Sequence, residues 1–249
     1  VMRFYLIHTL INLKMGRAFE FRKSRKIKRW SSMAKIFTKI VKEITICAKE
    51  NGFDPKTNSK LRALIQNAKN VNMPKENIER ALKKAYESNT TGYKKILFEG
   101  YAPYGIAILI ETATDNNNRT VANIRSYFNK LGGSLGVSGS VEYMFEHKCN
   151  FKFNSRGLDL EELELDLIDY GIDELFTIDK EVYIYAPFDN FGSIQQKLEN
   201  KSIDILLSEF ERIPINTLEL DKLKKEEVNK LIDLIEEDSD VLGVFSNLK

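Results

Sequence analysis

Near residue 92 the apolar spacing of this chain changes from a helical to a strand period, and that change limits the folds open to it. Before it, residues 33–50 carry Ile36, Phe37, Ile40, Val41, Ile44 and Cys47/Ala48 at three- and four-residue steps, with Lys35, Lys39, Lys42 and Lys49 largely on other faces. Asn51-Gly52 stops this helix and Pro55 breaks the chain after it. Asn58 or Ser59 caps a second helix, 59–71, with Leu61, Leu64, Ile65 and Ala68 as its stripe. Pro74 suits the first turn of a third, Lys75–Tyr86, with Ile78, Ala81, Leu82 and Ala85 inward. Three short amphipathic helices must pack on one another, which predicts a helical domain at 33–91, closed by the polar linker Ser88-Asn89-Thr90-Thr91-Gly92.

After the linker, Lys95–Tyr101 and Gly105–Thr112 read as strands joined by a hairpin at Ala102-Pro103-Tyr104-Gly105. Asp115–Arg119 reads as a loop with capping chemistry, Thr120–Leu131 as an amphipathic helix ended by Gly132-Gly133, and Ser140–His147 as another strand. A self-contained βαββαβ series follows: strand 149–154, helix 159–170, hairpin 174–178 with 182–186, helix 191–200, strand 205–213. That is the ferredoxin-like order. The last helix, 221–236, and strand, 241–246, cannot form a domain alone, so they are expected to return to the sheet begun at 95. The predicted class is α+β with three domains: a three-helix domain, then two α+β sandwich domains, the last inserted into the middle one. The expected boundaries are 1–32 for an extension and basic arm, 33–91, 92–148 plus 214–249, and 149–213 for the insert.

Charge divides the chain as sharply as periodicity does. Arg22, Lys23, Arg25, Lys26, Lys28 and Arg29 put six cations into eight residues, with Arg17 before them and Trp30 directly after. Residues 14–95 hold 22 Lys/Arg against 7 Asp/Glu, while 149–249 hold 11 against 24, so a formal net charge of +2 hides a basic end and an acidic end. A solubilising tail is the plainer account of the cationic block; binding to a phosphate backbone, with Trp30 as a stacking surface, is the favoured one. Lys35, Lys39, Lys60, Arg62, Lys69, Lys75 and Arg80 extend that surface over the helical domain.

Chemistry-bearing clusters are few. The glycine-rich run 132–139 follows a helix and precedes a strand, the reverse of a phosphate loop. Asp115, Asn116, Asn118 and Arg119, with Thr120, form a candidate anion- or partner-binding loop, although Asp and Asn before a helix are the usual caps. No His or Cys stands near them as nucleophile or base, so no catalytic residue is assigned. The acidic run 159–169 shares its helix with Leu160, Leu163 and Leu167 and reads as a solvated face. Two Cys and two His at no ligand spacing predict neither a metal site nor a disulfide framework, and point to a reducing cytoplasm. Residues 1–14 are apolar but too short for a membrane span, and Met15 is expected as the natural start.

Four stretches, 28–45, 72–81, 98–125 and 132–146, together resemble the YebC/PmpR family of probable transcriptional regulators, a family that includes the mitochondrial translational activators of cytochrome c oxidase subunit one. The similarity runs from about residue 16 to the C-terminus. Many members open Ala-Gly-His-Ser-Lys-Trp, whereas Gly16-Arg17-Ala18-Phe19-Glu20-Phe21 stands here, so the arm holds no histidine. The resemblance implies three domains and a cytoplasmic gene-expression factor without enzyme activity, membrane attachment, cofactor or small-molecule substrate. DNA in transcription control, and ribosomal RNA or the ribosome in translation control, both stand as its target. A protein-interaction scaffold using the acidic insert is the further alternative.

Overall fold

The computed structural model describes residues 33–87 and 92–249. Residues 1–32, including the cationic block and the expected start at Met15, lie outside the described residues. Residues 34–147 and 211–248 form one compact unit, and 148–210 belong to a second.

The first unit opens with α1 (Met33–Asn51), α2 (Ser59–Asn70) and α3 (Lys75–Glu87). Gly52, at φ 96°, ends α1 in a conformation that disfavours a side chain. Asn58 caps α2, its side chain accepting from the Leu61 amide at 3.0 Å. Ile40, Ile44, Cys47, Leu61, Leu64, Ile78, Ala81 and Ala85 meet in one core, the apolar stripes set by the sequence.

The same unit contains an antiparallel sheet of β1 (Lys94–Tyr101), β2 (Ala107–Thr114), β3 (Ser134–Leu135) and β8 (Val241–Ser246), in the order β3-β1-β2-β8. Alternate residues of β2 serve two cores. Ile108 and Ile110 pack with Ile124 and Phe128 of α4 (Asn117–Lys130) and with Val228, Leu231 and Ile232 of α7 (Lys222–Glu236). Ala107 and Leu109 face Val141 and Phe145 instead. Covering both faces explains why β2 reads as an apolar run. Gly100 of β1 is required by this packing, because a Cβ there would lie 2.6 Å from Ser134 O and 2.8 Å from the Phe128 ring.

The second unit runs β4 (Phe145–Asn154, from Lys148 onward), α5 (Leu160–Ile168), β5 (Glu174–Ile178), β6 (Glu181–Pro187), α6 (Phe191–Asn200) and β7 (Ile205–Pro214, up to Phe210). Its sheet order, β5-β6-β4-β7, is the ferredoxin-like one. Phe151 of β4 stacks on Phe191 of α6 with ring centroids 5.1 Å apart. Cys47 and Cys149 are both free and buried. Among the described residues no helix is long and apolar enough to cross a membrane.

The structure differs from the sequence reading at 140–154. Two strands, 140–147 and 149–154, are expected there; the structure has one, β4, which starts at Phe145 after a helical turn at Glu142–Met144. The cause is Glu99, a β1 carboxylate only 2% exposed. It accepts from the amides of Gly139, Val141 and Glu142 at 2.6, 2.7 and 2.8 Å. Those donors are thereby withdrawn from any strand ladder. Burial raises the Glu99 pKa, but the three backbone donors outweigh it and hold the carboxyl below its ordinary range. Helix α4 also begins earlier than expected, at Asn117, because Asn116 caps it through the Arg119 amide at 3.1 Å.

Candidate nucleic-acid interface

The structure sorts the cations proposed from sequence into two kinds. Lys35 on α1, Lys69 at the end of α2, and Lys75 and Arg80 on α3 are exposed. Lys75 pairs with Glu79 at 3.2 Å across one turn, a surface pair that water and salt weaken. The other three are engaged in the fold. Lys39 donates to the carbonyl of Leu242 in β8 at 3.3 Å. Arg62 donates to the carbonyls of Pro55 and Lys56 at 2.6 and 3.3 Å, bracing the α1–α2 turn. Lys60 is half-buried, and burial, with Lys95 nearby, lowers its pKa. Arg17, Arg22, Lys23, Arg25, Lys26, Lys28, Arg29 and Trp30 fall outside the described residues.

A residue with no assigned role in the sequence organises the rest. Lys42 of α1 is 5% exposed. Its ammonium donates to Asp240 Oδ1 at 2.8 Å, to Ser239 O at 2.8 Å and to Ala113 O at 3.0 Å, so all three protons are placed. Asp240, in the turn between α7 and β8, is 3% exposed. Its second oxygen accepts from Arg119 at 2.7 Å, Thr120 Oγ1 at 2.9 Å and Thr114 Oγ1 at 3.2 Å. Burial pushes the Asp240 pKa up, but the bonds from Arg119, Lys42 and Thr120 outweigh it and hold the carboxyl at about 2. The carboxylate is therefore charged throughout the neutral range. Asp238 beside it accepts from Asn123 at 3.1 Å and the Tyr127 hydroxyl at 3.0 Å. Burial and that hydrogen bond push the Tyr127 phenol up to about 12.

Lys42, Arg119, Asn123, Tyr127, Asp238 and Asp240 line an open groove of about 670 Å³, together with Tyr93 and Asp115. The Lys42 ammonium lies 5.1 Å from the Tyr93 ring centre. Of the loop proposed from sequence, Asn116 is the helix cap and Asn118 is exposed. Arg119 is met by Asp115 at 3.0 Å as well as by Asp240. Its guanidinium thus joins a local network and is already faced by two carboxylates. Neither Asp240 nor Tyr127 exchanges a proton near neutral pH. Among the described residues no cluster of His, Cys, Asp and Glu is arranged to hold a metal.

Sequence reasoning missed Lys42, Asp238, Asp240 and Tyr127 as one cluster. The Lys42 and Asp240 partners stand 198 residues apart, and no local pattern links them. The sequence carries no signal for the cluster: Lys42 reads as one of four lysines away from the apolar stripe of α1, and its burial follows only from the fold.

Comparison with known proteins places this architecture. Residues 17–88 match the family model described as TACO1/YebC protein N-terminal domain, and residues 93–248 match TACO1/YebC second and third domain. The chain belongs to the TACO1/YebC family. A probable transcriptional regulatory protein of Flavobacterium psychrophilum is 61% identical over 235 residues, covering 94% of this chain and 100% of that protein. Its counterpart in Porphyromonas gingivalis is 57% identical, covering 94% of this chain and 98% of the relative. Among solved structures, a conserved hypothetical protein from Aquifex aeolicus has a TM-score of 0.77 at 34% identity, over 88% of this chain and 91% of that one. Both of these relatives are named probable transcriptional regulatory proteins.

Proposed function

We propose that the protein is a non-enzymatic regulator of gene expression that binds the phosphate backbone of nucleic acid through residues 17–30 and the exposed cations of α1–α3. The observation that carries this is the charge division: 22 Lys/Arg against 7 Asp/Glu over residues 14–95, with Lys35, Lys69, Lys75 and Arg80 held outward on a packed helical scaffold. Backbone recognition needs many cations and no catalytic group. The names of the relatives make duplex DNA in transcription control the first ligand to test, with structured RNA as the other arm.

The test is the salt dependence of binding. For duplex DNA the slope of log K against log salt is about −0.9 per phosphate contact. Replacing Arg22, Lys23, Arg25, Lys26, Lys28 and Arg29 together by Gln should flatten that slope by several units. Replacing Lys35, Lys69, Lys75 and Arg80 should flatten it by up to about 3.6. Slopes unchanged in both variants refute the proposal.

A further inference from the structure

One aromatic pair on the helical domain is left outside its core. Phe53 follows Gly52, whose amide donates to Ala48 O at 3.0 Å, and is 39% exposed. Tyr86, in the last turn of α3, is 77% exposed. Their rings meet with centroids 5.6 Å apart and planes 82° apart. An apolar residue directly after a glycine-ended helix usually packs back on its last turn, which accounts for Phe53. It does not account for Tyr86. A ring that served only to cover Phe53 would gain by being buried itself, whereas most of this one stays in water. Whichever ring presents its edge, at least one face of Tyr86 remains open.

The helical domain that carries this open face is net positive, with 14 Lys/Arg against 6 Asp/Glu over residues 33–95. Lys83, exposed one turn before Tyr86, neighbours it on the helix surface. Lys83 meets Glu87 only at 3.7 Å, with both side chains largely in water, so that pair yields readily to a phosphate. An open aromatic face among cations is the arrangement that holds single strands: the ring stacks on a base while the ammonium groups take the phosphates. A duplex keeps its base faces inside its own stack and has no use for such a ring.

We propose that Tyr86, braced by Phe53, is a stacking platform for an unpaired base, with Lys83 on a flanking phosphate. This rests on the nucleic-acid reading above and narrows it to single-stranded or looped segments. The full chain and its Tyr86→Phe, Tyr86→Leu and Phe53→Ala variants would be titrated with a labelled single strand carrying 2-aminopurine, and with the same sequence as a duplex. Tyr86→Leu keeps an apolar cover over Phe53 but removes the stacking ring. The expected result is wild-type binding for Tyr86→Phe, and about 5- to 150-fold weaker single-strand binding for Tyr86→Leu, with duplex binding unchanged. The 2-aminopurine quenching seen with the wild type should be lost in parallel. Tyr86→Leu binding the single strand like wild type overturns the platform, as does an equal loss on both ligands. If the six-cation variant loses affinity while Tyr86→Leu does not, only the platform falls. A wild-type protein that binds neither ligand overturns both readings.

Discussion

The sharpest prediction concerns Asp240→Asn. The substitution keeps the size of the side chain and one acceptor oxygen for Thr120, but removes the charge that Lys42 and Arg119 meet. Lys42 is then a buried ammonium, its side chain 6% exposed, left with two carbonyls. Breaking a buried pair from one side costs about 3–5 kcal/mol. The low end, about 3 kcal/mol, applies because Ala113 O and Ser239 O still hold two of its protons. For a unit of this size that lowers Tm by about 6–12 °C. The pH dependence supplies a second, independent number. The Asp240 pKa is depressed, so its stabilisation is complete above the unfolded value of about 3.9 and is lost as pH falls toward 2. The depression corresponds to about 2 kcal/mol. Urea titrations of wild type and variant should therefore show a constant gap between pH 5 and 8, narrowing by about 2 kcal/mol between pH 4 and 2. Adding Lys42→Met to the variant should recover part of the loss, because the stranded charge goes with it. A gap below about 1 kcal/mol at pH 7, or one that stays constant down to pH 2, refutes the reasoning.

Two further outcomes test other parts of the fold. Glu99→Gln leaves one acceptor for three amides, at 2.6–2.8 Å in the wild type, and should cost about 2 kcal/mol; limited proteolysis should then cut first within 136–142, and cutting elsewhere with that loop intact contradicts the assigned role. Burial, with Arg212 adding to it, lowers the His147 pKa to about 4. Below about pH 6.5 the unfolded chain takes up the proton first, so stability falls from about pH 6.5 toward 4 and levels off below it. The His147 ring resonances should titrate near pH 4, and a midpoint above 6 would show that the ring is solvated.

Features set by local repetition were open to reading from the sequence. The stripes Ile40/Ile44/Cys47, Leu61/Leu64/Ala68 and Ile78/Ala81/Ala85 recur at helical steps and meet in one core, because an amphipathic helix has no other way to remove its apolar face from water. The ferredoxin-like order was equally legible, each element being bounded by its own turn. What local pattern does not carry is competition between distant groups. Residues 140–147 have a strand-like composition, yet a single carboxylate on β1 claims three of the amides near them. Lys42 reads as one more cation of a basic helix, and only the chain folded back at Asp240 turns it into a buried donor. Arg119 is the same case in reverse: a guanidinium at a helix start suggests an anion site until its carboxylate partner, 121 residues away, is in place.

The buried pair also bears on how the cations would meet a polyanion. An apolar pair of similar volume would hold α1 to the sheet at least as strongly. It would not, however, fix α1 along its own axis, because apolar contacts tolerate sliding whereas Lys42 must satisfy Asp240, Ser239 O and Ala113 O at once. The Lys39 bond to Leu242 O adds a second tie one turn away on the same helix. Lys35, on the turn before that, is thereby held at a set place relative to β8. Under the proposed function, exposed cations at set positions on α1 would select phosphates at a matching spacing. These cations and the block at 22–29 should thus separate in experiment. Neutralising 22–29 weakens binding to every polyanion alike, whereas loosening α1 through Asp240→Asn reduces discrimination between nucleic acids more than it reduces affinity.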